Sequence, residues 1–356
     1  MNMTTIEQLR QKIGNRIAAE MRRKAVRTEQ ISGVDASVVE EYLAGRREIS
    51  FDELRPICQA IGLDMMLLLS PNYQPPRVIY RSVGRAFRRQ MAEIETTMAL
   101  VAEWLPKPQR PWAKRPPEDI TDANELISYA NNAVEALKTN HYDIPALFEA
   151  HRLPVLAIQM NEDAFDACLL HIGDRFLVVL NQCKPQVRQA FSLLHEFAHF
   201  LFDADRDLPV DVDLFASDFY QDTIRQEVRH EYLANKFAQL WLVPWETAEE
   251  LAKVWNKPEL FEVSRHLFQH PISPDVLAHA VYDVLRQRPG RVPTFTAIRD
   301  RLRELRDRLP AADSLDAFLQ RQKHALTRLL LEHQDDFSPE RWMQITRAWQ
   351  LDITTS

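Results

Sequence analysis

The sequence predicts an α+β protein that is mainly helical, and three observations lead to this fold class. Glycine is scarce, at 7 of 356 residues, and apolar residues recur with helical spacing along most of the chain. Two apolar runs, LPVLAIQM at 153–160 and DACLLHIGDRFLVVLN at 166–181, instead have the composition of strands. The second run is interrupted by Gly173-Asp174, as in a hairpin. We therefore expect a small sheet among many helices.

Residues 1–72 predict a compact N-terminal domain of five short helices. Ser50 is placed as the N-cap of one helix and Gly62 as its stop. Gly33-Val34, Ser37, Gly45 and the tail SFDELRPICQAIGLDMMLLL resemble the helix-turn-helix domain of Xre-type phage repressors. The second helix departs from that pattern, because Thr28 and Glu29 stand where the family usually has Leu-Ala.

The charge of this domain bears on whether it binds DNA. Residues 1–72 hold ten basic and ten acidic side chains, and the predicted recognition helix carries Asp35, Glu40 and Glu41. Phosphate contacts supply most of the affinity for DNA, so we expect weak binding from this domain. A docking or homodimerising role for the same fold is the alternative.

Residues 73–124 predict a basic helical linker followed by a Pro-rich stretch. Arginines at helical spacing lie beside Tyr80 and Phe87, a pattern that suits single-stranded DNA as an activator, because bases stack on aromatic rings while phosphates pair with arginine. A solvated helix face explains the same pattern. The arginines are Arg77, Arg81, Arg85, Arg88 and Arg89.

Overall composition excludes several classes of protein. The net charge of -7 gives no general attraction to nucleic acid or to an acidic membrane. No long apolar segment or secretory signal occurs, so we expect a cytoplasmic protein without a membrane partner. Three widely spaced cysteines argue against a disulfide framework and against paired-CxxC zinc, so any metal must be held by histidines and carboxylates.

The motif HEFAH carries the strongest chemical signal. His195 and His199 are four residues apart, so on a helix both imidazoles face the same side and can reach one zinc ion at about 2.0 to 2.1 Å. Glu196 is placed to take a proton from the attacking water. The alternative is a pair of core histidines with local hydrogen bonds, but apolar flanks make such buried polar groups costly without a metal.

A third ligand is expected downstream. The metzincin extension is excluded, because Phe202 and Asp205 stand where that class has Gly and His. In RQEVRHEYLANKFAQLWLVP, Glu231 shares a helix face with small residues that permit close packing, and Asn235 lies one turn further as a partner for a ligand. Glu227 and His230 remain alternatives to Glu231.

These segments resemble the ImmA/IrrE family of metallopeptidases. The family pattern HE-x-x-H, then E-x-x-A-N-x-F-A and L-x-P, matches 195–199, 231–238 and 242–244, and FLVVLN looks like its I-x-x-N segment. The resemblance covers roughly residues 125–256 and implies a zincin-like metallopeptidase domain with a Zn²⁺ cofactor. It also implies limited cleavage of a helix-turn-helix repressor in a mobile-element, DNA-damage or phage-defence system.

Several finer expectations accompany this interpretation. His230 and Tyr232 are candidates for steadying the oxyanion, and the aspartates between the two motifs are either a solvated loop or a rim for a basic substrate. Cys183 is a candidate inhibitory thiolate, as are Cys168 and Cys58, and a buried small apolar side chain is the alternative for each. Manganese or another divalent ion could replace zinc in such a site.

Residues 257–356 carry no catalytic motif and predict a helical accessory or dimerisation region. The competing function for the whole chain is a helix-turn-helix transcriptional regulator that uses the peptidase-like domain as a sensor or scaffold. An intact HExxH favours the enzyme, because a scaffold has no need of Glu196.

Overall fold

The N-terminal helices form a small unit with its own core. This computed structural model describes residues 5–24, 26–63, 65–70, 77–79, 85–111, 114–137, 143–160, 165–204, 221–289, 292–309 and 314–351. The first helices are α1 (Thr5–Lys24), α2 (Ala36–Leu43), α3 (Phe51–Ile61) and α4 (Met65–Leu69). Gly14 lets α1 cross α2 closely, because a Cβ there would lie 2.2 Å from the carbonyl oxygen of Tyr42.

The five-helix pattern expected for a helix-turn-helix domain is not confirmed. A single 3-10 turn, Thr28–Gln30, stands where the second helix was expected. The predicted recognition helix corresponds to α2. Arg47, which follows α2, forms ion pairs with Glu41 at 3.0 Å and with Glu53 at 2.5 Å. The weak DNA binding expected of this unit stays a prediction.

A four-stranded sheet lies at the centre of the rest of the chain. Its strands are β1 (Arg77–Ile79), β2 (Val155–Ile158), β3 (Ala167–Ile172) and β4 (Arg175–Asn181), in the order β1-β3-β4-β2. β3 and β4 form the predicted antiparallel hairpin, and Gly173 at its turn has φ of +62°. β1 is antiparallel to β3, whereas β2 is parallel to β4. The small sheet among helices confirms the α+β class.

The basic linker differs from its prediction. Arg77 begins β1 instead of a helix, because the following Val-Ile pair adds an edge strand to β3. Arg85, Arg88 and Arg89 do lie on a helix, α5 (Arg85–Val101), but their side chains are outside the described part. Arg81 also lies outside the described residues.

Helices cover both faces of the sheet. The remaining helices are α6 (Ala123–Leu137), α7 (Ile144–Ala150), α8 (Gln186–Phe202), α9 (Arg229–Leu242), α10 (Trp245–Val254), α11 (Leu260–Leu267), α12 (Pro274–Arg286), α13 (Phe295–Arg306), α14 (Asp316–Glu332) and α15 (Pro339–Ala348). One face packs with α6 to α13 into what we call the inner core. The other face packs with α5, α14 and α15 into the outer core.

The boundary expected at residue 257 does not separate two cores. α11, α12 and α13 contribute Leu260, Leu277 and Leu302 to the inner core, and Trp349 lies in the outer core. The indole Nε1 of Trp349 donates to the Thr97 hydroxyl oxygen at 2.7 Å. The C-terminal helices are therefore part of the body that contains the sheet.

The Pro-rich stretch also packs against this body. Arg110 donates to the carbonyl oxygen of Leu201 at the end of α8. Arg229 donates to the carbonyl oxygens of Pro116 and Pro117 from the first turn of α9. This segment therefore contacts the C-terminal end of α8 and the first turn of α9, the two helices that form the site described below.

Within the described residues, no helix combines the length and apolar character needed to cross a membrane.

Candidate metal centre

The motif HEFAH lies on α8 at the centre of the inner core. Asn181 ends β4, and its side-chain oxygen accepts hydrogen bonds from the backbone amides of Met160 and Cys183. This contact fixes the short connection from β4 to α8. His195, Glu196 and His199 are all buried on α8. Burial in an apolar helix demands partners for these polar groups.

The helix α9 supplies those partners by packing against α8. Ala234 and Ala238 on α9 are buried in the inner core together with Ala198 on α8. Small side chains allow the two helices to approach closely. Because the helices pack closely, the Glu231 carboxylate reaches both histidines. Asn235 lies one turn further along α9 and contacts His195.

His195, His199 and Glu231 form a cluster whose ligand atoms converge on one position. The two Nε2 atoms are 3.0 Å apart. Glu231 Oε2 lies 3.2 Å from Nε2 of His195, and Oε1 lies 3.3 Å from Nε2 of His199. Donor atoms around a tetrahedral zinc ion lie roughly 3.3 Å from one another when each bond is about 2.0 to 2.1 Å. The donor set and its spacing therefore fit a divalent metal ion.

The Nδ1 atom of each histidine, on the side of the ring away from the cluster, also has a hydrogen-bond partner. His195 Nδ1 lies 3.2 Å from Asn235 Oδ1, and His199 Nδ1 lies 2.9 Å from Asp203 Oδ2. In each contact Nδ1–H donates to oxygen, so Nε2 of each ring is the nitrogen that can bind a metal ion once it has lost any proton. The role foreseen for Asn235 agrees with this geometry.

Sequence reasoning missed Asp203. It is buried at the end of α8, and its second oxygen accepts a hydrogen bond from His230 Nδ1 at 2.9 Å. Its position could have predicted this role, because Asp203 follows His199 by four residues and residues four apart on a helix are neighbours. Asp203 thus connects the metal ligand His199 to His230 on α9.

The charges of these groups suit a metal site. Burial acts to raise the pKa of Glu231, but the adjacent His199 and His195 outweigh it and hold this pKa well below its usual range. Burial acts to lower the pKa of His199, but Glu231 and Asp203 raise it well above its usual value. Glu231 is therefore a carboxylate, and metal binding must displace a proton from the histidine pair.

The alternatives to Glu231 lie elsewhere. Glu227 is 56% exposed and pairs with Arg225 at 3.1 Å. His230 bonds to Asp203 and is not among the clustered ligand atoms. Among the described residues, Glu231 alone joins the two histidines in such a cluster.

Tyr232 lies beside the contact between α9 and α12. Its ring lies 5.4 Å from Nζ of Lys236, which pairs with Asp283 on α12. Burial, followed by the charge of Asp283, raises the pKa of Tyr232. These contacts give the oxyanion role expected for Tyr232 no support, and that role stays a prediction.

None of the three cysteines lies among the clustered ligand atoms. Cys183 is exposed before α8, and the nine helical steps from Gln186 to His195 span roughly 13 Å. Cys58 is buried in the N-terminal core. Cys168 is buried near Glu196, and burial raises its pKa well above the usual value, so it is a thiol. The structure therefore gives the inhibitory-thiolate hypothesis no support at any of the three.

The aspartate-rich stretch between the ligands falls mainly outside the described residues. Of its seven aspartates, Asp203 and Asp222 are among the described residues. The first belongs to the centre, and the second pairs with Arg286. The proposed rim for a basic substrate therefore stays a prediction.

Replacing Glu231 by Gln will remove metal binding, whereas replacing Glu227 by Gln will not. The amide removes the negative charge of the third ligand, whereas the exposed Glu227 carboxylate pairs with Arg225 and is not part of the cluster. Zinc content after dialysis, measured by atomic emission, distinguishes the two variants. Retention of zinc by Glu231→Gln together with its loss from Glu227→Gln would reverse the ligand assignment.

Replacing Asp203 by Asn will weaken zinc binding about 10- to 100-fold, since partners of ligating histidines tune affinity by that amount. Competition with a chromogenic chelator measures the change. Asp222→Asn is the control, because Asp222 is 85% exposed and precedes α9. Equal affinities for the two variants would remove Asp203 from the centre.

Two histidines and a glutamate around one metal position, with a second glutamate next to the first histidine, define a site of the metallopeptidase class. Residues 148–273 match the Peptidase_M78 family model, described as an IrrE N-terminal-like domain. The match spans about a third of the chain and contains both ligand helices, so it indicates a metallopeptidase domain of this type. Searches of curated proteins and of solved structures gave no significant match.

Proposed function

We propose that this chain is a zinc-dependent endopeptidase that makes a limited cut in a helix-turn-helix repressor and thereby induces genes of a stress, mobile-element or phage-defence system. The observation that carries the proposal is the convergence of His195, His199 and Glu231 beside Glu196. The Peptidase_M78 match supports the reaction class.

Each residue of the centre has a distinct task in peptide hydrolysis. A zinc ion held by His195, His199 and Glu231 would act as a Lewis acid on the scissile carbonyl. Glu196 accepts the proton of the attacking water as its oxygen bonds to the carbonyl carbon, and passes that proton to the leaving amine nitrogen. Asn235 and Asp203 keep the two imidazoles oriented during this cycle.

The choice of substrate rests on charge and on the family resemblance. The chain has a net charge of -7, which favours encounter with a basic partner such as a DNA-binding protein. An endopeptidase also needs a segment of substrate that can unfold into an extended strand near the metal. A linker beside a repressor's helix-turn-helix domain meets that need.

Cleavage of the repressor encoded by a neighbouring gene tests the proposal. The purified full chain is incubated with that protein and zinc, with and without single-stranded DNA, and intact-mass spectrometry follows the products. We expect one cut that disappears with a chelator and with His199→Ala. Absence of any cut, combined with a specific operator footprint by the full chain, would instead identify a transcriptional regulator.

A further inference from the structure

A second candidate site lies where the N-terminal helices meet the main body. A cavity of about 380 Å³, partly open to solvent, lies there between α3, the start of α4, α5 and α15. It shares no lining residue with the metal centre. Its lining residues are Arg55, Cys58, Gln59, Gly62, Leu63, Met65, Thr96, Leu100, Arg341 and Gln344.

The lining has a one-sided charge. Arg55 reaches the cavity from α3 and Arg341 from α15, so the two guanidinium groups come from different structural units. None of the lining residues is Asp or Glu. A protein with more acidic than basic residues overall therefore has here a concave surface with two basic and no acidic lining residues. Such a surface favours an anion, and arginine favours planar or tetrahedral oxyanions in particular.

The rest of the lining suits an organic group attached to that anion. Leu63, Met65 and Leu100 offer apolar surface, while the amides of Gln59 and Gln344 can each donate and accept hydrogen bonds. Ligand sites combine these features: mostly apolar walls, a few polar groups, and a volume of about 300 Å³ or more.

Two of the lining residues form a contact between the two units. The Thr96 hydroxyl on α5 donates to the carbonyl oxygen of Gly62 at 3.3 Å. Gly62 caps α3 in the left-handed conformation, with φ of +56°. A molecule held by Arg55 and Arg341 would therefore touch both sides of this joint.

We propose that this cavity binds a small organic phosphate of mononucleotide size, with Arg55 and Arg341 holding the phosphate. Binding then ties the N-terminal unit to the sheet-containing body, because each arginine belongs to one of them. The proposal is independent of the metal centre, and either can fail without the other.

Calorimetric titration of the zinc-loaded full chain with AMP tests this assignment, with adenosine and inorganic phosphate titrated separately. We expect AMP to bind, and Arg55→Gln and Arg341→Gln each to weaken it at least tenfold, as the loss of a charge-assisted hydrogen bond predicts. Arg347→Gln is the matched control, because Arg347 is an exposed arginine of α15 outside the lining.

Each alternative result overturns a defined part of the proposal. Absence of AMP binding, or equal binding by all three variants, removes the site. Adenosine binding as tight as that of AMP removes the role of the phosphate. Inorganic phosphate binding as tight as that of AMP removes the organic group. Circular dichroism of the variants checks folding, because Arg55 is exposed whereas Arg341 is half-buried.

Discussion

Replacing Glu196 by Gln will abolish peptide cleavage while the metal stays bound. General-base catalysis by a positioned side chain contributes about 10²- to 10⁴-fold, so the rate will fall by at least that range. Gln has the size of Glu but cannot accept the proton of water. Glu196 is not one of the three clustered ligands, so the affinity for metal is expected to remain within a few-fold of the wild type.

The measurement has two parts on the same preparation. The rate of repressor cleavage is followed by intact mass, and metal occupancy is followed through the visible spectrum of a cobalt-substituted sample. His199→Ala is the comparison, because it should lose both activity and metal. Wild-type activity in Glu196→Gln would show that the proton passes through another group and would contradict the proposed mechanism.

Replacing Asp283 by Ala will destabilise the protein by about 3 to 5 kcal/mol, the usual cost of leaving one charge of a buried ion pair without its partner. Lys236 Nζ on α9 lies 2.5 Å from Asp283 Oδ2 on α12, and both side chains are buried. Gln239 also donates to Asp283, at 2.8 Å. Removing the carboxylate therefore leaves the buried ammonium beside the neutral Gln239 oxygen at 3.2 Å and the Tyr232 ring.

Nearby His279 cannot offset this loss. Burial, followed by the charge of Lys236, lowers the pKa of His279 to about 4, so this imidazole is neutral near pH 7 and carries no negative charge at any pH. The double variant Lys236→Met with Asp283→Leu is the matched control, since apolar replacement of a buried ion pair is often neutral or stabilising. Denaturant unfolding measures both proteins. A loss below about 1 kcal/mol in Asp283→Ala would show that the pair is solvated.

Local sequence patterns predicted the chemistry of the centre. The four-residue spacing in HEFAH and the small residues after Glu231 fix which side chains share a helix face, and helix geometry needs no distant information. The β3–β4 hairpin was also predictable from alternation around Gly173-Asp174. These features lie within single elements or adjacent ones.

Features set by distant contacts could not be predicted in this way. Arg77 follows helical spacing in the sequence, but it begins an edge strand because β3 lies beside it. Trp349 reaches Thr97 across 252 positions of sequence. Asp203 is intermediate, because its spacing from His199 is local while its contact with His230 depends on how α9 packs. The spacing of apolar residues within one segment does not show which distant strand or helix that segment will contact.

Because helices cover both faces of the sheet, the segment that matches the family model cannot be separated from the rest of the chain without exposing one face. The matched segment 148–273 contains β2, β3, β4 and both ligand helices, but not α5 or α15. Expressed alone it would present the strand residues Leu156, Ile158, Leu170, Leu177 and Val179 to water. A patch of that kind promotes aggregation. A chimera that keeps α5 and α15 together with the matched segment would keep this face of the sheet covered.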